Sequence, residues 1–186
     1  MVDTVQVLAI DPVSHDLYIA ERGNNRIQRI TNAGVFVHMW GTHGTGNGFF
    51  DGPLGIAADA AGNVYVTDHN NNRIQKFRVT GGTTVNHLTT WGGGGTAAGQ
   101  LNGPYGITLD ASNTLWVADA FNHRLQRFDI NGNLLKETVR QVMDNLASTE
   151  LAASSGVSVT VEIQNGTIRQ GLASRTNQIY KSFGYE

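Results

Sequence analysis

The 186-residue sequence predicts a mainly β fold, a partial β-propeller of about three four-stranded blades, followed by a C-terminal helix-strand-helix (α/β) segment. Three observations carry that reading. A ten-residue motif recurs as ERGNNRIQRI (Glu21 to Ile30), DHNNNRIQKF (Asp68 to Phe77) and DAFNHRLQRF (Asp119 to Phe128). The residues upstream of it also repeat, because Gly48 to Asp68 matches Gly99 to Asp119 at a constant offset of 51, and Trp40-Gly41 and Trp91-Gly92 keep that offset. Finally, most of the 23 glycines gather at the repeat junctions, where tight turns need positive φ.

The first unit, residues 5–47, opens with VLAIDPVSHDLYIAE. It has the rhythm of the others but lacks their Gly-Pro lead-in and carries one extra residue before Tyr18, as expected of a terminal repeat or of a chain cut inside one. The second, residues 48–98, shows four short runs rich in Ile, Val, Tyr and Phe: Gly55 to Asp59, Asn63 to Thr67, Arg73 to Arg78 and Val85 to Trp91. Gly62-Asn63, Asn70 to Asn72 and Gly81-Gly82 supply the turns between them. The third unit, residues 99–139, follows the same order. Four strands every 40 to 50 residues or so, with periodic Gly and aromatic marks, is the pattern of a propeller blade.

GPLGIAADAAGNVYVTDHNNNRIQKF and GPYGITLDASNTLWVADAFNHRLQRF closely resemble NHL repeats, whose Asn-His-Leu-like element stands here as Asn122-His123-Arg124-Leu125. The resemblance implies a propeller. It leaves function open, since NHL propellers include RNA-binding, protein-binding, receptor and enzymatic members.

Each unit pairs an acidic residue with an arginine five positions on: Glu21 with Arg26, Asp68 with Arg73, and Asp119 with Arg124. A short loop between neighbouring strands brings both side chains to one strand end, where a carboxylate can accept bidentate Arg bonds and close the turn. Catalytic groups need not recur in every blade, whereas a structural clamp should, so these pairs are read as blade fasteners.

Site residues are expected on the loops between the second and third strands and on the blade-to-blade connectors, which emerge on one face of a propeller. His69, Tyr105, Phe121 and His123 are the candidate binding residues there, with His43 beside them. A channel metal, as in six-bladed lactonases or the amidating lyases that resemble NHL proteins, would be served in that lyase family by a His directly after the repeat's proline; Leu54 and Tyr105 hold those positions here. His15, His38, His43, His69, His87 and His123 show no HxH or HExxH spacing, so no metal and no cofactor are expected. Gly92 to Gly95 lacks a following Lys-Ser/Thr and reads as a flexible connector, not a phosphate cradle.

After Val139 the pattern changes. Val139, Val142, Met143 and Leu146 share a helix face in a linker over residues 140–156, and Val157, Val159, Val161 and Ile163 alternate along a strand. Asn165-Gly166 turns the chain, and Leu172, Thr176, Ile179 and Phe183 mark a second helix. Residues 157–186 resemble the start of a LytR C-terminal domain, a module of bacterial envelope proteins, through the V-x-V-x-x-x-N-G-T core, Gly171-Leu172-Ala173 and Phe183-Gly184-Tyr185.

A net charge of −2, with Arg22 as the main loop cation, argues against nucleic acid. No apolar run approaches the ~20 residues of a membrane span. The absence of cysteine excludes disulfides and thiolate metal sites and leaves the redox compartment open. The leading expectation is a non-enzymatic binding or scaffold module of a bacterial envelope or exported protein, taking a protein or glycan by its loop face. A channel-metal hydrolase or lyase is the enzymatic alternative, and self-assembly through open blade edges the structural one. Three blades do not close a ring, so the sequence implies a fragment of a larger propeller, a ring completed by two copies, or an edge-to-edge assembly.

Overall fold

The computed structural model describes residues 5–135, with side chains from residue 7 onward. The expected linker over 140–156 and the LytR-like segment over 157–186 lie outside the described residues.

The first blade consists of β1 (Val5–Ile10), β2 (Leu17–Glu21), β3 (Arg26–Ile30) and β4 (Phe36–Trp40). The second contains β5 (Pro53–Ala58), β6 (Asn63–Asp68), β7 (Arg73–Thr80) and β8 (Thr84–Gly92), and the third β9 (Pro104–Leu109), β10 (Leu115–Asp119) and β11 (Arg124–Phe128). Each sheet is an antiparallel meander in sequence order. A bridge between Phe128 and Leu134 begins a fourth strand in the third blade, where the described residues end. The fold is thus mainly β and propeller-like, with strand edges in the second blade within a few residues of the expected runs. Among the described residues no helix is long and apolar enough to cross a membrane.

Period-2 alternation explains how the blades stack. Val64 and Val66 of β6, with Ile56 and Phe77, join Tyr18, Ala20 and Ile27 in a core between blades one and two. Tyr65, from the opposite face of β6, joins Ala57, Ile74, Ile107, Leu115 and Val117 in a core between blades two and three. Every residue of β6 is therefore buried. A strand that is apolar on both faces requires a sheet on either side of it, and the middle blade has both. Trp40 and Trp91 wedge the outer ends of the two cores, Trp40 edge-on to Tyr18 and Phe77, Trp91 against Tyr65 and Phe128.

Of the inner strands, β5 lies beside both β1 and β9. At Gly55 the approach is so close that an added Cβ would stand 2.2 Å from the Tyr105 carbonyl oxygen. Thr67 fixes this joint. Its hydroxyl accepts from the Gly55 amide at 2.6 Å and lies 2.7 Å from the Tyr105 carbonyl oxygen, to which it donates.

Two outcomes follow for stability. Gly55→Ala should cost about 2 kcal/mol by forcing blades two and three apart, whereas Gly106→Ala, which meets no atom within 4 Å, should be near neutral; urea unfolding of both variants checks the contrast. On β8, burial first and the Arg73 charge second hold the His87 imidazole below its ordinary range. A depressed folded pKa gives stability that is present above the unfolded value and is lost as pH falls through the folded one. Wild-type protein should therefore lose more stability between pH 7.5 and pH 5 than His87→Gln, measured as the shift in urea midpoint.

Candidate functional site

The loop face is built from the fasteners upward. At the end of β6 the Asp68 carboxylate is fully buried, and its Oδ2 accepts from Arg73 Nε at 2.7 Å, Asn71 Nδ2 at 2.9 Å and Gln75 Nε2 at 3.1 Å. Its Oδ1 accepts from the Asp51 amide at 2.7 Å. Asp119 repeats every bond, taking Arg124, Asn122 and Gln126 on Oδ2 and the Asn102 amide on Oδ1. Glu21 takes the same three donor types, Arg26 and Asn24 on Oε2 but Gln28 on Oε1. Each expected acid–arginine pair does meet at its strand end, but through one guanidinium nitrogen rather than the expected bidentate fork.

Only the Arg Nε meets the carboxylate. The other guanidinium nitrogens reach across to the connector before the blade: Arg73 donates to the carbonyls of Thr45, Gly46 and Phe49, and Arg124 to those of Thr96, Ala97 and Gln100. The glutamines grip the same segment, since Gln75 accepts from the Gly48 amide and donates to Phe49, while Gln126 does so with Gly99 and Gln100. Gly92 to Gly95 is accordingly no loose connector, as the Gly93 amide donates to Asn72 and the Gly95 amide to Leu101. Each connector also plants one apolar side chain, Phe50 or Leu101, fully buried beneath the loop. Gly41 and Gly92 admit these anchors, since a Cβ there would meet Phe50 at 2.5 Å and Leu101 at 2.8 Å. That is why Trp-Gly recurs.

The last residue of each β2–β3-type loop is left-handed: Asn25, Asn72 and His123 have φ of 52, 54 and 52°. Asn25 and Asn72 accept from the amides of Gly52 and Gly103, pinning the start of the next blade. His123 occupies the corresponding place in blade three and is exposed.

Three of the four candidate binding residues come together. The His69 ring lies edge-to-face with Tyr105 at 4.8 Å and Phe121 at 5.5 Å between ring centroids, and Tyr105 and Phe121 stand 6.5 Å apart. His69 is only 4% exposed, with Nδ1 3.3 Å from the Pro104 carbonyl oxygen, whereas Tyr105 and Phe121 are 44% and 58% exposed. His69 thus supports two exposed rings from below. Phe121 sits on the 3-10 turn Ala120–Asn122, whose first amide-linked contact is Phe121 N–H to Asn102 O, and Tyr105 on β9 directly after Pro104. His123 makes no ring contact with the three among the described residues. His43 lies on the connector, 3.7 Å from an Asp51 oxygen and largely exposed. Among the described residues no three His, Asp or Glu side chains converge as a metal site would require.

A second recurring device escaped the sequence reading. Asp11, Asp59 and Asp110 cap the turns between first and second strands through backbone amides, and each also binds the ring of an aromatic residue on the second strand: Tyr18, Tyr65 or Trp116. A cation covers every one of those rings, Arg29, Lys76 or Arg127, at 5.6, 5.5 and 4.7 Å from the centroid. Burial pushes the Tyr18 hydroxyl up to about 12, and the Trp116 indole bond holds the Asp110 carboxyl below its usual range. The signal was in the sequence, as an Asp six or seven positions before an aromatic residue in all three units. Lys76 also donates to the Ile130 carbonyl of the third blade at 2.8 Å, so this end too is stitched between blades.

The NHL repeat model matches residues 50–77 and 101–128, which are the connector anchor to third strand of blades two and three. Blades two and three thus match the NHL repeat model, and the first blade shares their antiparallel strand order. It is 31% identical over 132 residues to NHL repeat-containing protein 3 of Mus musculus, covering 63% of this chain and 36% of the relative. The Homo sapiens protein of that name is 30% identical over 113 residues, covering 55% and 31%. The chain thus spans about a third of the length of these curated relatives. Among solved structures, a streptogramin B lyase superposes with a TM-score of 0.53 at 25% identity, covering 70% of this chain and 39% of that one. A catalytically inactive virginiamycin B lyase from Staphylococcus aureus with quinupristin gives 0.53 at 24% identity, covering 70% and 40%. These likenesses bear on the fold.

Removing one buried carboxylate should strand four donors at once. Asp68→Ala is expected to lower stability by about 3–5 kcal/mol, and Arg73→Ala by less because its guanidinium is partly solvated; denaturant unfolding monitored by Trp fluorescence checks both values and their order.

Proposed function

We propose that this chain is a non-enzymatic binding module whose loop face takes a protein ligand at the joint between its second and third blades. The observation that carries the reading is the His69, Tyr105 and Phe121 cluster: two exposed rings, one on β9 and one on the 3-10 turn, held over a buried one. Exposed aromatics on a rigid support bury large apolar area at small entropic cost, and aromatic anchors of this kind dominate binding energy. The NHL repeats support a binding or scaffold role in general.

A glycan is the other ligand of the same face. Its sugar rings favour a flat aromatic platform, whereas these rings meet at 84, 65 and 72° and form a corner that suits a protruding side chain. The lyase reading draws on the lyases among the structural neighbours, which this chain covers to about 39–40% of their length. No convergent His, Asp or Glu group among the described residues adds to it. An extracytoplasmic or envelope location is proposed with the binding role, from the LytR-like sequence of residues 157–186.

Screening the 186-residue chain against a peptide library and a glycan array supplies the probe, and titration of the best hit supplies the test. Tyr105→Ala and Phe121→Ala should each weaken binding at least tenfold, about 1.4 kcal/mol or more, while Leu88→Ala on the exposed side of β8 leaves it unchanged. Equal affinity in all three variants would remove the loop face from consideration, and a hit on the glycan array alone would reassign the ligand class.

A further inference from the structure

The repeat builds the same niche twice on the loop face, and the two copies carry different chemistry. At the joint of blades two and three, a Cβ on Gly103 would meet the rings of Phe121 and His69 at 2.5 and 2.9 Å. At the joint of blades one and two, a Cβ on Gly52 would meet Asn70 Nδ2 at 3.1 Å and Arg22 Nε at 3.5 Å. The positions are equivalent, since Gly52 and Asn70 precede Gly103 and Phe121 by 51 residues, and Arg22 and His69 each directly follow the buried acid of the second strand. Both glycines are held alike, their amides donating to the side-chain oxygens of Asn25 and Asn72 at 2.8 and 2.7 Å. Leu54, the counterpart of Tyr105, is buried, which leaves Arg22 and Asn70 to front the first niche. One niche is cationic and polar, the other aromatic.

Arg22 is half-buried, and its guanidinium has no hydrogen bond and no ion pair among the described residues, in contrast to Arg26, Arg73 and Arg124 of the fasteners. The acid of the same joint, Asp51, is engaged elsewhere: Asn70 Nδ2 donates to its Oδ1 at 2.8 Å, and His43 Nε2 stands 3.7 Å from its Oδ2. A guanidinium presents its N–H donors as a planar fork that matches a carboxylate, and here the fork is unfilled.

Resting on the protein-ligand reading of the aromatic corner, we infer that the two niches are adjacent subsites for one peptide segment, whose apolar side chain enters the corner at Tyr105 and Phe121 and whose Asp or Glu carboxylate pairs with Arg22. Charge complementarity selects that occupant, because a single cation with an acid on the same joint favours a monoanionic carboxylate over a more highly charged phosphate. Stacked sheets lie about 10 Å apart and an extended chain rises about 3.3 Å per residue, so the two side chains belong about two to four residues apart. The acid then sets register and selects sequence, while the rings bury area.

The probes are short fluorescein-labelled peptides on a Gly-Ser background, each with one Leu or Phe and with Glu, Gln or Lys placed two, three or four positions to either side. They are titrated by anisotropy against the full 186-residue chain in about 50 mM salt, where screening is weak. The best Glu peptide should bind at least about fivefold more tightly than its Gln counterpart, as hydrogen bonds to charged groups contribute more than exposed ion pairs. Arg22→Gln should remove that preference, and Arg22→Glu should turn it toward the Lys counterpart. Tyr105→Ala should weaken the Glu and Gln peptides by the same factor, since the two niches meet different side chains. Equal binding of Glu and Gln peptides to the wild type overturns the inference, and so does a Glu preference that survives in Arg22→Gln; either result, with binding still dependent on Tyr105, leaves the aromatic corner standing. Binding by no peptide of the series, or binding indifferent to both Tyr105→Ala and Phe121→Ala, overturns it together with the reading on which it rests. The Glu-to-Gln comparison uses wild-type protein, so the inference stays open to refutation even where an Arg22 variant fails to fold.

Discussion

The constraint on which the rest of this structure depends is the burial of a carboxylate at the end of each second strand. A carboxylate fully removed from water is costly unless its lone pairs are filled, and Asp68 and Asp119 each fill theirs with Arg, Asn, Gln and a backbone amide. Three of those donors come from the same blade and one from the connector preceding it. The charge therefore does more than close a turn. It recruits an arginine whose remaining nitrogens hold three connector carbonyls, and so converts a glycine-rich segment with one apolar anchor into a defined path. Blade register, connector path and loop face all follow from where that charge sits.

Much of this was legible in the sequence, and what was not had physical causes. Recurrence exposed the blades and the fasteners, because a residue needed by every repeat is counted three times. Alternation in Val64, Tyr65 and Val66 exposed the strand but not the partition of its two faces between two different cores, since a period of two names faces without naming neighbours. The roles of Gly92 to Gly95 were hidden because composition records the freedom of glycine, not the bonds that remove it. Arg73 and Arg124 looked like turn closers since sequence proximity to the acid was visible, whereas carbonyls more than twenty residues upstream were not. His69 was chosen with Tyr105 and Phe121 as a loop-face group; its near-complete burial depends on the third blade arriving over it, which no local pattern encodes.

The two ends of each blade divide the labour. At the loop-face end, fasteners grip connectors. At the other, Asp59 with Tyr65, Asp110 with Trp116 and the looser Asp11 with Tyr18 bond pin the first turn to the second strand, under a covering cation. The connector grip recurs in blades two and three and the Asp–aromatic–cation device in all three, while the residues standing on them differ: Asn25, Asn72 and His123 share one backbone conformation and two chemistries. A repeat that holds its backbone constant by buried polar networks is free to vary the side chains those networks present, and this is what separates scaffold from site here.

The position of the aromatic cluster adds a consequence of its own. His69 belongs to blade two, whereas Tyr105 and Phe121 belong to blade three, and Gly103 lies between them with φ of +55° and no room for a Cβ beside the Phe121 and His69 rings. The cluster therefore exists only while the two blades are docked. A ligand that packs on Tyr105 and Phe121 binds the docked state and not a separated one, so its binding energy adds to the interface formed by Thr67 and the second core. On the proposed binding role, recognition and blade packing would be one equilibrium: loosening the joint at Gly55 would weaken the site, and filling the site would tighten the joint.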